Sequence, residues 1–482
     1  MTVTDHPHLF IGGDWISPKS RSRIQVVSAS TEEPIGSVPE ANEADVDAAV
    51  AAARAAFDDP QGWSAWNPAQ RGAALSSLAD QLESRAEEMA RTVAAQNGMP
   101  VAIARQLEAG FPVAVIRYYA NLVRSATFEE SHPHLLGGTT TVRREPIGVV
   151  GAIAPWNFPQ TLSAFKHAPA LAAGCTVVLK PSPETVLDSV VFAEAVAASD
   201  IPAGVINIVP GGRDIGAYLV SHPGIDKVAF TGSTAAGRSI AETCGRLLRP
   251  VTLELGGKSA AIILDDADLD LGSIGEQLFG ATLLNNGQTC FLGTRILAPR
   301  NRYHEVVGVF EALASSLEVG DALNDSTQIG PMASERQRDR VEGYIAKGLG
   351  DGGRLVTGGG RPSGQNKGWF VEPTVFADID NKHAIAQEEI FGPVLSIIQY
   401  DNDDDAVQIA NDSDYGLGGT VWTSDPDRGL EVARRVRTGT IGINRYLPDP
   451  SSPFGGIKDS GIGRELGPDA LGNFQNFKSI YS

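Results

Sequence analysis

Apolar residues recur at helical spacing through the first quarter of the chain. Residues 43–125 are rich in Ala, Glu, Arg and Leu, and Leu75, Leu78 and Leu82 follow the three-to-four-residue interval of an amphipathic helix. This segment is therefore predicted to be mostly helical. The pattern changes at 135–144, where a Gly-containing, β-branched run (LLGGTTTVRR) predicts a hairpin arm.

Short β-branched runs alternate with helix-like segments from residue 147 onward. Strands are predicted at 148–154, 176–180, 205–209, 227–231 and 251–255, with helices at 160–173, 185–198, 214–221 and from 235. A second block, 260–444, adds strands at 260–264, 295–297 and 394–400 and helices at 271–284 and 302–317. This alternation predicts an α/β fold with doubly wound parallel sheets.

Two further segments complete the prediction of secondary structure. The Gly-rich stretch 348–364 is predicted to be a surface loop. The last segment, 473–482, is short and β-like, and we expect it to pair with the edge of another subunit.

Composition places the chain among soluble globular proteins. Its 482 residues leave room for about two to four domains, and 42% are hydrophobic against 20% charged. The net charge of −19 disfavours binding to nucleic acids and to anionic membrane surfaces. No apolar run is long enough to span a membrane, and Met1–Phe10 lacks the pattern of a signal peptide. We therefore expect a cytoplasmic protein.

Cysteines and histidines are few. An odd set of three cysteines without a Cys-x-x-Cys pair argues against a disulfide framework and a structural zinc site. Cys175 and Cys244 lie in apolar contexts that are typical of inert core thiols. The eight histidines form no His-Glu-x-x-His motif, so no metal site is predicted.

A glycine turn at 230–237 (FTGSTAAG) follows a predicted strand and opens a predicted helix. Gly232 and Gly237 are too far apart for the G-x-G-x-x-G fingerprint, yet such a turn at a helix N-terminus suits a phosphate. The same run is nearly a P-loop, with Arg238 replacing the lysine and 260–266 resembling a Walker B strand. A P-loop ATPase is thus an alternative, weakened because a guanidinium replaces a compact ammonium poorly. A second alternative is a strand–helix turn that binds no ligand.

Other motifs place polar residues at the ends of predicted elements. Glu254 in LELGGK is either a general base facing a ligand crevice or a solvated turn residue. Cys290 in GQTC is either a nucleophile or a small buried side chain. Asn157 in PWNFP either holds an oxyanion or caps the next helix. In EEIFGPV, Glu389 and Phe391 could face a ribose and a flat ring, or belong to an ordinary acidic loop.

Taken together, seven motifs resemble the NAD(P)-dependent aldehyde dehydrogenase superfamily in its hydrolytic form. In chain order they are PWNFP, LKPSPET, FTGSTAAG, LELGGK, GQTC, EEIFGPV and SPFGGIKDSGIGRELG, and the likeness extends over nearly the whole chain. The resemblance implies an NAD(P)-binding domain at 1–126 and 147–255, an α/β catalytic domain at 256–459, and a small β oligomerisation arm at 127–146 and 470–482. It also implies a homo-oligomer, a dimer or a tetramer.

The resemblance assigns a mechanism to five residues. Cys290 matches the nucleophile, whose thiolate attacks the aldehyde to form a thiohemiacetal. Asn157 and the backbone N–H of Cys290 match the oxyanion donors. Hydride then passes to the nicotinamide and leaves a thioester, and Glu254 matches the base that activates water to hydrolyse it. Lys166 and Glu465 match charged residues that relay protons from Glu254.

NAD is the cofactor that the resemblance implies. The matching cofactor-binding positions are Ile153, Trp156, Lys180, Gly212, Phe230, Gly232, Ser233, Gly237, Leu255, Gln337, Arg340, Glu389 and Phe391. This sequence departs from the family at one place. Many NAD-selective members carry Glu three residues after the lysine, where this chain has Pro183, with Glu184 one residue late. NAD is still expected over NADP, because no Arg or second Lys is adjacent to Lys180.

The matching substrate pocket is almost entirely apolar. Its positions are Phe111, Phe158, Leu162, Phe165, Thr289, Phe291, Leu447 and Phe454. Such a funnel favours aliphatic, aromatic or terpenoid aldehydes over semialdehydes, whose carboxylate needs a cation, and over quaternary ammonium aldehydes, which need an aromatic cage. A CoA-acylating relative and a non-catalytic structural homologue remain alternatives.

Overall fold

The computed structural model describes residues 4–482. Residues 1–3, which open the predicted 1–126 part of the nucleotide-binding domain and the segment searched for a signal peptide, lie outside the described residues. The α-helices are Glu43–Asp58, Pro68–Glu83, Ala86–Asn97, Val101–Ala104, Phe111–Ser125, Pro159–Ala173, Asp188–Ala197, Arg213–Ser221, Thr234–Arg246, Leu271–Thr282, Tyr303–Ser316, Glu335–Gly350, Ala384–Gln387, Asp403–Asn411, Pro426–Arg435 and Asp469–Gly472. Arg105–Gly110 is π-helical.

An eight-stranded sheet holds the first alternating block. Its strands, in spatial order, are Gly461–Ile462, Val251–Glu254, Lys227–Thr231, Val149–Ile153, Thr176–Lys180, Ile206–Ile208, Leu9–Ile11 and Asp14–Ile16. The five central strands are parallel and nearly all their residues are buried, as expected of a sheet covered by helices on both faces. The carboxyl ends of these strands therefore meet at one edge of the sheet.

A seven-stranded sheet holds the second block. Its order is Arg354–Thr357, Thr374–Ala377, Val394–Tyr400, Arg295–Pro299, Ala260–Ile263, Gly419–Trp422 and Gly442–Ile443. All neighbours are parallel except the first strand, which is antiparallel to the second. The prediction of a surface loop at 348–364 is therefore wrong in part. Four of its residues form this edge strand, which depends on a distant partner rather than on a local pattern.

Two three-stranded sheets complete the fold. One joins Thr4–Asp5, Pro34–Pro39 and Arg23–Val27, and the other, the arm, joins Gln475–Tyr481, Thr139–Pro146 and Glu129–Pro133. The predicted hairpin is confirmed, although its turn is centred on 134–138. The tail was predicted to pair with another subunit, but Gln475 pairs with Pro146 and Tyr481 with Thr140 of the same chain. The tail is therefore an edge strand of its own arm, and among residues 4–482 its other edge is free for the predicted pairing with a second subunit.

Local pattern located the main elements well. The strands predicted at 176–180, 227–231 and 394–400 have the predicted bounds, and the helices between them are present. The helix Pro159–Ala173 is buried along its whole length and packs against helices Phe111–Ser125 and Pro68–Glu83. Within residues 4–482, every helix is too short or too polar to cross a membrane.

Candidate active site

A cleft of about 410 Å³ lies where loops of the two large sheets meet. Most of its lining residues are positions that the sequence analysis singled out. They are Pro155, Trp156, Asn157, Thr231, Gly232, Ser233, Leu255, Gly256, Cys290, Arg336, Gln337, Arg340, Glu389 and Phe391. The cleft therefore joins most of the widely separated motifs in one place.

Parallel strand ends explain how the first sheet contributes to the cleft. The strand Lys227–Thr231 runs into Gly232 and Ser233, where Ser233 caps the helix Thr234–Arg246. Glycine is required at this turn, because a Cβ on Gly232 would lie 2.4 Å from the ring of Phe230. The turn thus exposes backbone and a helix N-terminus to the cleft, which is an arrangement that favours an anion.

The loop before Cys290 is held by two asparagines in the left-handed region. Asn285 and Asn286 have φ values of 52° and 60°. Asn285 Nδ2 donates to the carbonyl of Asn157 (3.0 Å), and Asn286 Nδ2 donates to the carbonyl of Pro331 (2.9 Å). The sequence analysis missed both residues, although asparagine is among the few residues that adopt this conformation readily.

The Asn157 side chain is buried beside this loop. Its Nδ2 donates to the carbonyl of Gln288 at 3.0 Å, two residues before Cys290. A carboxamide nitrogen carries two protons, so one remains for a ligand oxygen. Asn157 thus lines the cleft with a donor whose orientation is fixed by the loop before Cys290.

Cys290 is the cysteine with partial exposure, whereas Cys175 and Cys244 are buried. Burial raises the pKa of the Cys290 thiol, and the carboxylates of Glu389 and Glu254 raise it further by repelling a thiolate. The thiol is therefore protonated at neutral pH in this state. Cys175 donates to the carbonyl of Phe474 at 3.3 Å, as expected of a core thiol.

Glu254 is a buried carboxyl group at the end of its strand. Neither carboxyl oxygen makes a well-formed hydrogen bond to the described residues, although the backbone of Gly456 is close enough to favour ionisation slightly. Burial raises the pKa of Glu254, and the carboxylate of Glu465 raises it further. Gly455 leaves the necessary space, since a Cβ there would lie 2.4 Å from Glu254 Oε1.

Lys166 and Glu465 form a buried ion pair near Glu254. Lys166 Nζ lies 2.9 Å from Glu465 Oε1 and also donates to Thr231 Oγ1 at 2.5 Å. A buried pair of this kind is retained only with good geometry, since each charge has lost its hydration. The pair brings a cation and a second acid into electrostatic contact with Glu254.

Lys180 and Glu389 carry opposite charges toward the nucleotide-binding motifs. Lys180 Nζ donates to the carbonyl of Gly211 (2.7 Å), and burial lowers its pKa to about 8. Glu389 Oε1 accepts from the backbone N–H of Gly257 (2.8 Å), and burial raises its pKa to about 7.

Aromatic and amide groups fix the loop around Glu389. The rings of Trp156 and Phe391 meet edge to face at 5.3 Å. Gln337 Nε2 donates to the carbonyl of Phe391 at 2.7 Å, and Arg340 donates to the carbonyl of Glu389. Some predicted cofactor residues lie outside the cleft lining: Ile153, Lys180, Gly212, Phe230 and Gly237.

A chain of aromatic rings extends from Cys290 on the other side. Phe111 packs against Phe165 (6.1 Å), Phe165 against Phe454 (6.0 Å), and Phe454 against Phe291 (6.3 Å). The predicted pocket residues Phe158, Leu162 and Thr289 are buried. The Thr289 hydroxyl donates to the carbonyl of Leu284 (3.1 Å).

One predicted pocket residue, Leu447, is exposed to solvent in the structure. Leu447 is 75% exposed, whereas its neighbour Tyr446 stacks on Phe291 at 4.3 Å between ring centroids. The Tyr446 hydroxyl lies 2.5 Å from Thr440 Oγ1. The sequence analysis missed Tyr446, because a one-residue shift in an irregular loop leaves no periodic signal.

The structure also separates the parts of the near P-loop. Arg238 pairs with Asp459 at 2.6 Å on the surface and does not line the cleft. The Walker B-like run forms the strand Ala260–Ile263 in the seven-stranded sheet, whereas the strand Lys227–Thr231 lies in the other sheet. A P-loop site needs both strands in one sheet, so the ATPase alternative has no structural basis. Among residues 4–482, no three His, Cys, Asp or Glu side chains are grouped to hold a metal ion.

Comparison with known proteins gives a consistent result. The profile described as "Aldehyde dehydrogenase family" matches residues 15–480. A curated relative from Castellaniella defragrans, named geranial dehydrogenase, is 59% identical over 481 residues, covering 100% of this chain and 99% of the relative.

Two solved structures share the whole architecture. An aldehyde dehydrogenase from Mycobacterium tuberculosis complexed with NAD+ has a TM-score of 0.97 and 48% identity, covering 100% of this chain and 99% of that one. A mutant of aldehyde dehydrogenase C from Pseudomonas syringae, complexed with NAD+ and octanal, has a TM-score of 0.94 and 40% identity, with coverage of 98% and 96%.

Proposed function

This chain belongs to the aldehyde dehydrogenase family, and we propose that it oxidises apolar, terpenoid-like aldehydes to carboxylic acids through a thioester on Cys290. The observation that carries the proposal is the half-buried Cys290 thiol, which lines one cleft together with the Asn157 carboxamide. NAD+, when bound, accepts the hydride that the reaction releases.

Acylation begins at the Cys290 sulfur. After the thiol loses its proton, the thiolate attacks the aldehyde carbon, and the carbonyl oxygen becomes an oxyanion. The free N–H of the Asn157 carboxamide and the backbone N–H of Cys290 stabilise this charge. Loss of the hydride from the former aldehyde carbon then leaves a thioester on Cys290.

Deacylation depends on Glu254. An ionised Glu254 takes a proton from water while the water oxygen attacks the thioester carbon, and the acid leaves as Cys290 regains a thiolate. The proton on Glu254 then has an exit toward the Lys166–Glu465 pair, whose Lys166 already contacts the Thr231 hydroxyl. The nearby Glu465 carboxylate raises the pKa of Glu254, which strengthens it as a base.

The cleft fits a dinucleotide. The Gly232 turn has no room for a side chain, and a Cβ on Gly256 would lie 2.6 Å from Glu389 Oε2. Backbone at Gly232 and Ser233 would bind the pyrophosphate, and Lys180 and Glu389 would bind the two riboses. The solved relatives contain NAD+, which supports NAD as the cofactor of this chain.

Substrate class follows from the aromatic chain between Phe111 and Tyr446. Its members are aromatic and none is charged, so a substrate with an unbranched or terpenoid hydrocarbon tail is favoured. The relative named geranial dehydrogenase and the structure containing octanal support the same class.

A panel of aldehydes tests this proposal. We expect kcat/KM for geranial and octanal to exceed that for succinic semialdehyde by at least about a hundredfold, because an unpaired carboxylate is costly to bury. Reduced-nicotinamide absorbance with NAD+ measures each rate, and benzaldehyde and betaine aldehyde complete the panel. A preference for succinic semialdehyde would contradict the proposal.

Cofactor preference has an unexpected electrostatic basis. Arg336, which the sequence analysis did not name, lines the cleft and lies 3.8 Å from Glu184. This contact could not be predicted from local sequence, because Arg336 belongs to a helix about 150 residues further along the chain. Glu184 is oriented by the Ser182 hydroxyl (2.6 Å), and its carboxylate raises the pKa of Lys180. We infer that Glu184 neutralises both cations and disfavours a 2′-phosphate.

Glu184→Gln is therefore expected to raise kcat/KM for NADP+ relative to NAD+ by about tenfold. The substitution removes a negative charge that repels the 2′-phosphate, and it frees Arg336 from its contact with Glu184. Dissociation constants from fluorescence quenching by each cofactor measure the same change without turnover. Glu342→Gln, which removes the partner of Arg361, is the matched control. An unchanged ratio would show that Glu184 does not select the cofactor.

We further propose a cytoplasmic homo-oligomer, a dimer or tetramer. The arm exposes the apolar side chains Leu135, Leu136, Phe477 and Tyr481, and exposed apolar patches often mark protein–protein interfaces. Light scattering after size exclusion is expected to give a mass of two or four chains. A stable monomer would overturn this.

A further inference from the structure

We propose that Glu108 is a positioning residue for the Asn157 carboxamide. From a separate helix, Glu108 holds the start of the helix that follows Asn157 and thereby fixes the position of Asn157. The inference rests on the oxyanion role proposed for Asn157. It concerns a residue that no motif includes and that lies outside the cleft lining.

The helix Pro159–Ala173 begins without a cap of its own. Phe158 occupies the N-cap position, and its side chain accepts no hydrogen bond. Glu108 supplies the missing acceptors instead. Its Oε2 accepts from the backbone N–H of Gln160 (2.8 Å) and its Oε1 from that of Thr161 (3.3 Å).

An irregularity in the chain brings Glu108 to this place. It belongs to the π-helical turn Arg105–Gly110, which interrupts an otherwise α-helical run. The Thr161 hydroxyl donates to the carbonyl of Leu107 in the same turn, so two successive residues contact the helix start. Such π-turns carry an extra residue at a cost in stability and occur often near functional sites.

A second set of contacts holds the Asn157 loop. Asp188 accepts from the side chains of Gln160 and Gln96, the latter at 2.6 Å. Asn97, next to Gln96, donates to the carbonyls of Trp156 (3.2 Å) and Asn157 (3.3 Å). The loop is thus fixed both at its backbone and at the helix start, and Gln160 joins the two groups.

Chemistry requires a carboxylate at position 108. Both backbone N–H groups need acceptors, and Glu108 offers two oxygens. In Glu108→Gln one oxygen becomes an NH2 group facing an N–H, so the helix start must shift. A displacement of the order of an ångström in a catalytic donor can cost about a hundredfold in rate.

A double-mutant cycle tests the proposal. We expect Glu108→Gln to slow single-turnover hydride release by roughly 10–100-fold, and Asn157→Ala by about a hundredfold or more. In the Asn157→Ala background, Glu108→Gln should add less than about threefold, because the group it positions is absent. The NAD+ dissociation constant, measured by protein fluorescence, should stay unchanged in each variant.

Equal factors in both backgrounds would overturn the proposal, since they would mean that Glu108 acts on folding or on another group. Full activity of Asn157→Ala would also overturn it, whereas the thioester mechanism itself is tested separately at Cys290. Glu108→Asp keeps the two carboxyl oxygens and should retain more activity than Glu108→Gln, which provides a second measurement if the latter folds poorly. Glu83→Gln, at an exposed ion pair with Arg117, is the matched control.

Discussion

Replacing Cys290 with alanine is expected to abolish NAD+-dependent aldehyde oxidation, with a loss of at least about 10⁴-fold in kcat. No other group in the cleft can form the thioester, and removing a covalent nucleophile typically costs several orders of magnitude. The loss should include the first turnover, because no hydride leaves an aldehyde that has not been attacked. Stopped-flow absorbance of reduced nicotinamide measures both phases.

Cys244→Ala is the matched control for Cys290→Ala. Cys244 is buried in the helix Thr234–Arg246, and burial raises the pKa of its thiol, so its loss should leave turnover unchanged. Iodoacetamide should inactivate the wild-type protein by modifying one thiol, Cys290, since Cys175 and Cys244 are inaccessible. Turnover by Cys290→Ala at even a tenth of the wild-type rate would refute the proposed mechanism.

Replacing Glu254 with glutamine is expected to separate the two half-reactions. One equivalent of NADH per active site should form at nearly the wild-type rate, after which steady-state turnover should be about 10²–10⁴-fold slower. The reason is that glutamine cannot accept a proton from the hydrolytic water, whereas Cys290 and Asn157 are intact. Mass spectrometry of the quenched protein should detect the acyl group on Cys290.

The pH dependence has a defined sign. Burial and the Glu465 carboxylate raise the pKa of Glu254, and only the ionised form acts as a base. Deacylation in the wild type should therefore increase as pH rises through that pKa, and this dependence should disappear in Glu254→Gln. Glu276→Gln, at an exposed position of the helix Leu271–Thr282, is the matched control.

Other outcomes at Glu254 discriminate between mechanisms. Hydroxylamine should release the acyl group and restore turnover to Glu254→Gln, since it needs no base of comparable strength. Loss of the burst itself would assign Glu254 to deprotonation of the Cys290 thiol. A wild-type protein that stops after one turnover until CoA is added would instead be a CoA-acylating enzyme.

Local sequence was sufficient for much of this picture. Strand–helix alternation located the parallel strands, because hydrophobic periodicity depends on neighbours in the chain. Asn157 and Glu254 were identified at the carboxyl ends of predicted parallel strands, which share one edge of the sheet. Cys290 and Glu389 were identified from the GQTC and EEIFGPV motifs, which lie in loops after short helices. The family resemblance then joined these motifs into a single reaction.

Irregular segments were predicted less well. The stacking of Tyr446 on Phe291 and the contact of Arg336 with Glu184 were not predicted. The tail pairs with the hairpin of its own chain, a contact that the sequence analysis did not predict. Each of these features depends on a contact between segments, and the separation of two segments along the chain does not tell how close they lie in the fold.

The sequence by itself determined the fold class and the reaction, and it predicted Cys290 as the nucleophile. Tertiary structure alone decided how the reacting groups are charged and held. Lys166 meets Glu465 across 299 positions, and Glu108 reaches the helix of Asn157 from a separate π-turn. Periodicity and motifs depend on the local preference of the chain for a helix, a strand or a turn. Burial, pKa shifts and capping from another helix arise only when distant segments pack together and exclude water.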